Sequence, residues 1–418
     1  MRENSASSYR FVIAGVISLE RLSVSITTAV SPLLPLIMSE LNISRGTVSW
    51  FVSAPQIVTM IFAVPAGILA SRIGLKKTYA VGAFLHAAGI ITPLCINFPM
   101  LLITRILFGI GTAISMPLAA GIIAKWFGRN GRPLVNGLSQ VSGSVGQTIA
   151  FFITIPLAGV LSWRGTLASY SALALIAAFL WAILGKERPP TAADDPVESP
   201  LQSRQPPLAK AKMSTWQVLK QRETLLLAFS LTGAFCLYLT LNTWLPTYYY
   251  EVFKMSLAEA SSVSAIFKAT GIPAVILGGI LPVRLGRRKP LIVISGLMVG
   301  VMGLATFIIN NPIIIFPALA VYGFFGVLYM PVIYTIPMEM PGMTPETGSL
   351  VLALALAAGN FGGFMGPILV GYVADFTGSY LAGFLVCCAL SLSLLIGGLL
   401  LPETGPKAKK NILAVSVR

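Results

Sequence analysis

Charge is scarce in this chain. Of its 418 residues only 10% are Asp, Glu, Lys or Arg, where soluble domains carry about 25%. With 56% hydrophobic residues and a mean hydropathy of +0.83, such a chain cannot cover itself with polar surface in water. Histidine occurs once, as His86. Neither an intramembrane His/Glu metal pair nor a nucleophile–base set can be assembled, which argues against an enzyme. The four cysteines, Cys95, Cys236, Cys387 and Cys388, lie in apolar stretches with no metal-ligand spacing and no disulfide framework. A short apolar leader with a small-residue cleavage site is missing, so the first apolar span is expected to be retained. No metal or other cofactor is expected.

What the chain has in abundance is long apolar runs. A membrane-crossing helix needs about 20 mostly apolar residues. Such stretches recur at 11–38, 47–70, 78–96, 100–126, 134–157 and 165–184, then at 224–249, 257–281, 290–309, 313–338, 348–374 and 381–401. They imply an all-α membrane protein with twelve spans. The net charge of +15 could suggest nucleic acid, but the basic residues sit in short loops with no aromatic-interleaved basic face. With both termini placed in the cytoplasm, 23 basic residues fall on the cytoplasmic side, including Lys407, Lys409, Lys410 and Arg418 in the tail. Only Arg45, Arg164 and Lys254 fall on the other. That asymmetry predicts a multi-pass protein of the bacterial cytoplasmic membrane with both termini inside.

The segment 186–222 departs from this pattern. Its proline- and charge-rich centre cannot bury enough apolar surface to fold alone. It reads as a cytoplasmic linker between six-helix bundles at 1–185 and 223–418, with 214–222 as a short amphipathic helix. The two bundles echo each other. Gly67, Arg72, Gly74, Lys76 and Lys77 follow the second span; Gly279, Arg284, Gly286, Arg288 and Lys289 follow the eighth, 212 positions later. Met116-Pro117 pairs with Met330-Pro331, and Gly143-x-x-Gly146 with Gly359-x-x-Gly362. Parallel six-helix repeats imply a pseudo-two-fold axis along the membrane normal, with a site between the halves at mid-depth.

On these residues the chain resembles the major facilitator superfamily over essentially its whole length. The two basic loops look like that superfamily's cytoplasmic gate motif and its weaker copy, with Ser71 standing where the family usually has aspartate. Within the superfamily the first half is most similar to the organic-anion (anion:cation) symporters, followed by the cyanate- and nitrate-type carriers. The matching residues are Glu20-Arg21, Ser31-Pro32, Pro35, Arg105 with Gly109, Trp126-Phe127, Gly131-Arg132 and Trp163-Arg164. Thr112 stands where the family often has a second acid. The resemblance implies alternating-access transport of a small anionic solute with protons as coupling ions.

Three basic residues remain inside spans, and an ionised side chain at the bilayer centre costs about 2.5–3.5 kcal/mol on insertion scales. Glu20 and Arg21 lie about ten residues into the first span, roughly 15 Å deep. Lys268 is near mid-depth in the eighth span, and Arg105 is about six residues into the fourth. With Glu20 ionised, this group carries net +2, which favours an anion over a cation. Adjacent helix residues point about 100° apart. Arg21 is therefore expected to face the cavity and grip an anionic group bidentately, with Lys268 as a second anchor and Arg105 a further cation. Glu20 is expected to face the fourth span, pair with Arg105 and release it on protonation. Arg21 and Arg105 as purely structural partners of Glu20 remain an open alternative. His86 reads as a packed helix residue rather than a proton relay. Gln56, Gln140, Gln147 and Asn360 are candidate cavity polar groups. The expected function is proton-coupled symport of a small organic carboxylate by a monomer. Anion exchange or inorganic-anion carriage is the alternative, and drug efflux is disfavoured because Ser142–Gln147 lacks a Gly-Pro-rich signature. No Walker-type ATP motif is present.

Overall fold

The computed structural model describes residues 2–128, 131–186, 220–340, 343 and 345–405. Most of the expected linker, most of its amphipathic helix, Arg129 and the basic tail from Lys407 to Arg418 lie outside the described residues. Every described element is helical.

Proline and glycine decide where the helices break. Helix α1 (Arg2–Thr28) stops short of Pro32 and Pro35, which have no N–H to donate. The chain passes through a 3-10 turn, Ser31–Leu33, into α2 (Leu34–Leu41). Helix α3 (Arg45–Ile73) starts at Ser44, whose side chain caps the Thr47 amide. Helix α4 (Leu75–His86) tightens into a 3-10 stretch, Ala87–Leu94, that contains Pro93. Helix α5 spans Phe98–Trp126. Helix α6 (Arg132–Leu184) runs 53 residues but breaks at Ser162, where φ is 61°. Beyond the linker come α7 (Arg222–Glu251), α8 (Leu257–Leu285), α9 (Lys289–Ile308) and α10 (Pro312–Leu328). Then follow α11 (Met330–Glu339), α12 (Pro345–Thr377) and α13 (Leu381–Leu400).

Ten helical stretches among the described residues are long and apolar enough to cross a membrane. The figure of twelve implied by the sequence is not reached on that criterion alone. One stretch, Leu134–Leu184, has 51 residues and the Ser162 break, enough length for two crossings. The other shortfall is α4, whose 12 residues continue only as 3-10 helix.

The packing repeats along the chain. Helix α1 packs on α6, α3 on α5 and α4 on α5; after residue 222, α7 packs on α12, α8 on α10 and α9 on α10 and α13. The glycine echo lies at equivalent crossings. A Cβ on Gly146 would stand 2.6 Å from the Leu22 carbonyl oxygen of α1, and one on Gly362 would overlap the Thr232 carbonyl of α7. Glycine there lets two backbones touch. The two basic loops share a different reason: Gly74 (φ 87°) and Gly286 (φ 62°) end α3 and α8 in conformations that L side chains rarely adopt.

The two groups of helices meet along α3 with α12 and along α6 with α8. Among the described residues, the polar contacts joining them lie at the end where α3 begins. Arg45 Nη2 is 2.7 Å from Glu251 Oε2, and its Nε donates to the Tyr380 hydroxyl at 2.7 Å. Asp375 caps α3 across the boundary, accepting from the Arg45 and Gly46 amides at 3.1 and 2.8 Å. The Ser261 hydroxyl of α8 donates to the Phe151 carbonyl of α6.

Candidate functional site

Helix α1 carries the central pair, and the turn of the helix separates their fates. Glu20 is 4% exposed and faces α4. Its Oε1 lies 2.9 Å from His86 Nδ1, and its Oε2 accepts from the Tyr79 hydroxyl at 3.0 Å. Arg21 points to α6, where its Nη2 donates to Gln140 Oε1 at 2.9 Å along an exposed face, while its Nε has no hydrogen-bond partner among the described residues. Gly143 makes room for this, since a Cβ there would stand 3.3 Å from Arg21 Nε. One turn beyond Gly143, Gln147 donates to the Thr28 hydroxyl at 3.5 Å. Gln56 on α3 and Asn360 on α12 are half-buried.

The expected ion pair between Glu20 and Arg105 is not formed; no ion pair joins them among the described residues. Both Glu20 oxygens are taken by α4, because the third span and not the fourth covers that face of α1. Arg105 is 5% exposed. Its Nη1 donates to the Thr27 carbonyl at 3.0 Å, and its guanidinium lies 4.3 Å from the Phe51 ring centre. It lines a small cavity of about 10 Å³ with Thr92, Thr104 and Ser171, room for about one water. In this conformation Arg105 offers no open face to a solute.

Lys268, on α8, is 4% exposed. Its Nζ donates to the Tyr238 hydroxyl at 3.2 Å and lies 4.6 and 4.5 Å from the Tyr238 and Phe267 ring centres. Cation–π attraction of this kind offsets part of the desolvation of a buried ammonium. Among the described residues, no carboxylate pairs with Lys268 or with Arg21.

The repeated basic loops differ from each other. Arg288 is gripped by Glu339 through Nη2–Oε1 at 2.7 Å and Nε–Oε2 at 3.1 Å, a contact that raises its pKa. Glu403 accepts from the Arg288 and Lys289 amides at 2.6 and 3.2 Å. In the first loop Arg72 and Lys77 are exposed, the Lys76 carbonyl accepts from Trp181 Nε1 at 3.1 Å, and the Ser71 hydroxyl is spent on Ile68 of its own helix. Gly67, Gly279 and Arg284 are exposed. Trp163 and Arg164, beside the α6 break, both bind Glu40 at the end of α2, which clasps the break to the first helix pair.

A Major Facilitator Superfamily profile matches residues 20–345, most of the chain. The chain belongs to the Major Facilitator Superfamily. It is therefore a transporter family member and not an enzyme. Its relatives within the superfamily include the hexuronate transporter of Bacillus subtilis, 26% identical over 403 residues covering 91% of this chain and 90% of that one. The probable nitrate transporter NarT of Staphylococcus epidermidis is 25% identical over 361 residues, covering 84% and 85%. Among solved structures, a bacterial homologue of the human lysosomal transporter Spinster, inward-facing and unoccupied, superposes with a TM-score of 0.71 at 16% identity, covering 94% of both chains. The nucleoside transporter NupG superposes at 0.70 and 14% identity, covering 94% of this chain and 99% of that one. These superpositions show that the superfamily's fold is present.

The structure gives His86, read from the sequence as a packed helix residue, a partner in Glu20, and adds Tyr79 and Tyr238, which the sequence reading did not name. His86 and Tyr79 complete the surroundings of Glu20, and Tyr238 that of Lys268. Depth was the available signal for His86: counted from the same membrane face, it lies about as far into its span as Glu20 does into the first.

Proposed function

We propose that this superfamily member is a secondary active transporter that carries a small organic carboxylate together with protons by alternating access. Both termini and the basic loops lie in the cytoplasm, following the lysine and arginine asymmetry. The observation that carries the reading is the pair of cations, Arg21 on α1 and Lys268 on α8, that have no carboxylate partner among the described residues, contributed by the two groups of helices that must move against each other. An anion bridging them offsets the cost of holding both cations in the membrane and draws the two bundles, 1–185 and 223–418, together. Gln140 and Gln147, with Gln56 and Asn360, supply amide partners for hydroxyls on the solute. Arg105 keeps a positive field behind α1 without touching the solute in this conformation. Glu20 is the proton-binding group. The contacts clustered at the Arg45 end hold that end closed, and on the proposed topology that end faces outside. The protein acts as a monomer.

The nitrate-transporter relatives favour one other reading, carriage of an inorganic anion. Uptake into proteoliposomes of a panel of labelled carboxylates, sugar acids and inorganic anions, with and without an inward proton gradient, separates the two. Accumulation of one carboxylate that collapses without the gradient supports symport. Nitrate or cyanate as the sole accumulated solute replaces the substrate, and transport that needs only an internal counter-anion replaces the mechanism by exchange.

A further inference from the structure

The chain's single histidine sits where its hydrogen atoms can be assigned. His86 Nε2 is 3.2 Å from Thr112 Oγ1, and the Thr112 hydroxyl donates to the Phe108 carbonyl at 3.1 Å. A hydroxyl has one hydrogen. With that hydrogen on Phe108, Thr112 accepts from His86, and Nε2 carries a hydrogen. Nδ1 faces Glu20 Oε1 at 2.9 Å, inside a site where the two side chains are 1% and 6% exposed. A neutral imidazole protonated on Nε2 presents a lone pair at Nδ1, and an ionised carboxylate presents only lone pairs. Those two would repel. All three contacts are satisfied together when one further proton lies between Glu20 and His86.

We propose that Glu20 and His86 form one proton-binding unit holding a single shared proton, and that this pair, not Glu20 alone, couples proton entry to anion binding. The proposal rests on the symport reading above. Loaded, the pair is neutral, whether the proton sits on the carboxyl or on Nδ1. Empty, it carries one negative charge. Emptying takes the proton from the imidazolium Nε2 to water. Nδ1 keeps its hydrogen and donates it to ionised Glu20, and the Thr112 hydroxyl turns from Phe108 to donate to Nε2.

The surroundings give the sign of the coupling. The charged and titratable groups around the pair are Tyr79 on α4, Arg21 beside Glu20 on α1, and Arg105 two turns from Thr112 on α5; α6 packs the neutral Trp181 ring, tilted by 55°, against Tyr79 at 4.6 Å. When the pair is empty, its negative charge lies one residue from Arg21 and competes with the solute for that cation. When it is loaded, Arg21 is uncompensated and binds an anion more tightly. Gly111 is what lets α5 come this close: a Cβ there would stand 2.9 Å from His86 Cδ2.

One histidine per chain makes the test direct. The full chain, carrying an affinity tag without histidine, is labelled with 15N-imidazole histidine, placed in lipid bilayers and followed by solid-state NMR across pH. The expected spectrum keeps Nε2 protonated at the pH of greatest uptake. It then converts to the Nδ1–H neutral form as gradient-driven uptake is lost. Glu20→Gln abolishes that conversion. In proteoliposomes His86→Gln should lose gradient-driven accumulation by roughly tenfold or more while solute counterflow persists. Thr112→Val should keep accumulation with a displaced pH midpoint. An Nδ1–H form with bare Nε2 at every pH overturns the shared proton. His86→Gln that accumulates solute with the wild-type pH profile overturns the coupling role, even if the spectrum is as expected. Wild-type uptake indifferent to the gradient sinks the symport reading itself, and the spectrum then decides the shared proton separately.

Discussion

At the scale of single residues, adjacency in sequence gave Glu20 and Arg21 opposite surroundings. A residue advances about 100° around a helix. Glu20 therefore goes into the packed interior against α4, while Arg21 lies on the exposed face beside Gln140. That separation was legible from spacing alone. Glu20's partner was not, because His86 stands 66 residues away and nothing in a single sequence fixes the rotation of α4 about its axis. The pairing expected with Arg105 failed for the same reason. Removing either cation should weaken the solute strongly. A charge-assisted hydrogen bond contributes about 1.5–3 kcal/mol, so Arg21→Gln and Lys268→Met should each lower solute affinity by roughly 10- to 100-fold. Equilibrium binding in nanodiscs measures this. Binding unchanged in both variants would place the solute elsewhere.

At the scale of helices, the glycine echo and the paired basic loops are readable in the sequence. Each rests on a local demand: close backbone approach at Gly146 and Gly362, positive φ at Gly74 and Gly286. The breaks were harder. The interval 158–164 reads as a loop, yet α6 continues through it with a single deviant residue, Ser162. Trp163 and Arg164 stabilise that break by binding Glu40, a contact across 123 and 124 residues that no local pattern encodes. Gly362→Ala should be destabilising, because its methyl group would overlap the Thr232 carbonyl and force α7 from α12. Overpacking of this kind costs about 1–3 kcal/mol. The expected result is a thermal unfolding midpoint lowered by several degrees in detergent, with Gly67→Ala, facing open space, as the neutral control.

For the whole molecule, the apolar periodicity and the basic loops pointed to the superfamily fold, and the profile match and superpositions bear this out. Which end of the molecule is closed was not legible. It depends on Arg45, Glu251, Asp375 and Tyr380, which lie in separate loops and helix ends. On the proposed topology that end faces outside, and loosening it should shift the equilibrium toward an outward-open form. In an Arg45→Ala variant, a cysteine introduced at Gln56 should react with an impermeant thiol reagent on the order of fivefold faster from the outside, equivalent to about 1 kcal/mol. An unchanged rate would show that the polar contacts do not hold this end shut.

The Arg45 cluster has a consequence for the medium in which the protein works. Its charges are only partly covered, with the Arg45 and Glu251 side chains 36% and 24% exposed. Mobile ions reach such pairs and screen them; the Debye length is about 8 Å at physiological ionic strength and about 3 Å at 1 M. On the proposed topology this end faces outside, so added external salt should loosen the closure, and external salinity would set how readily the transporter turns outward, whatever solute it carries.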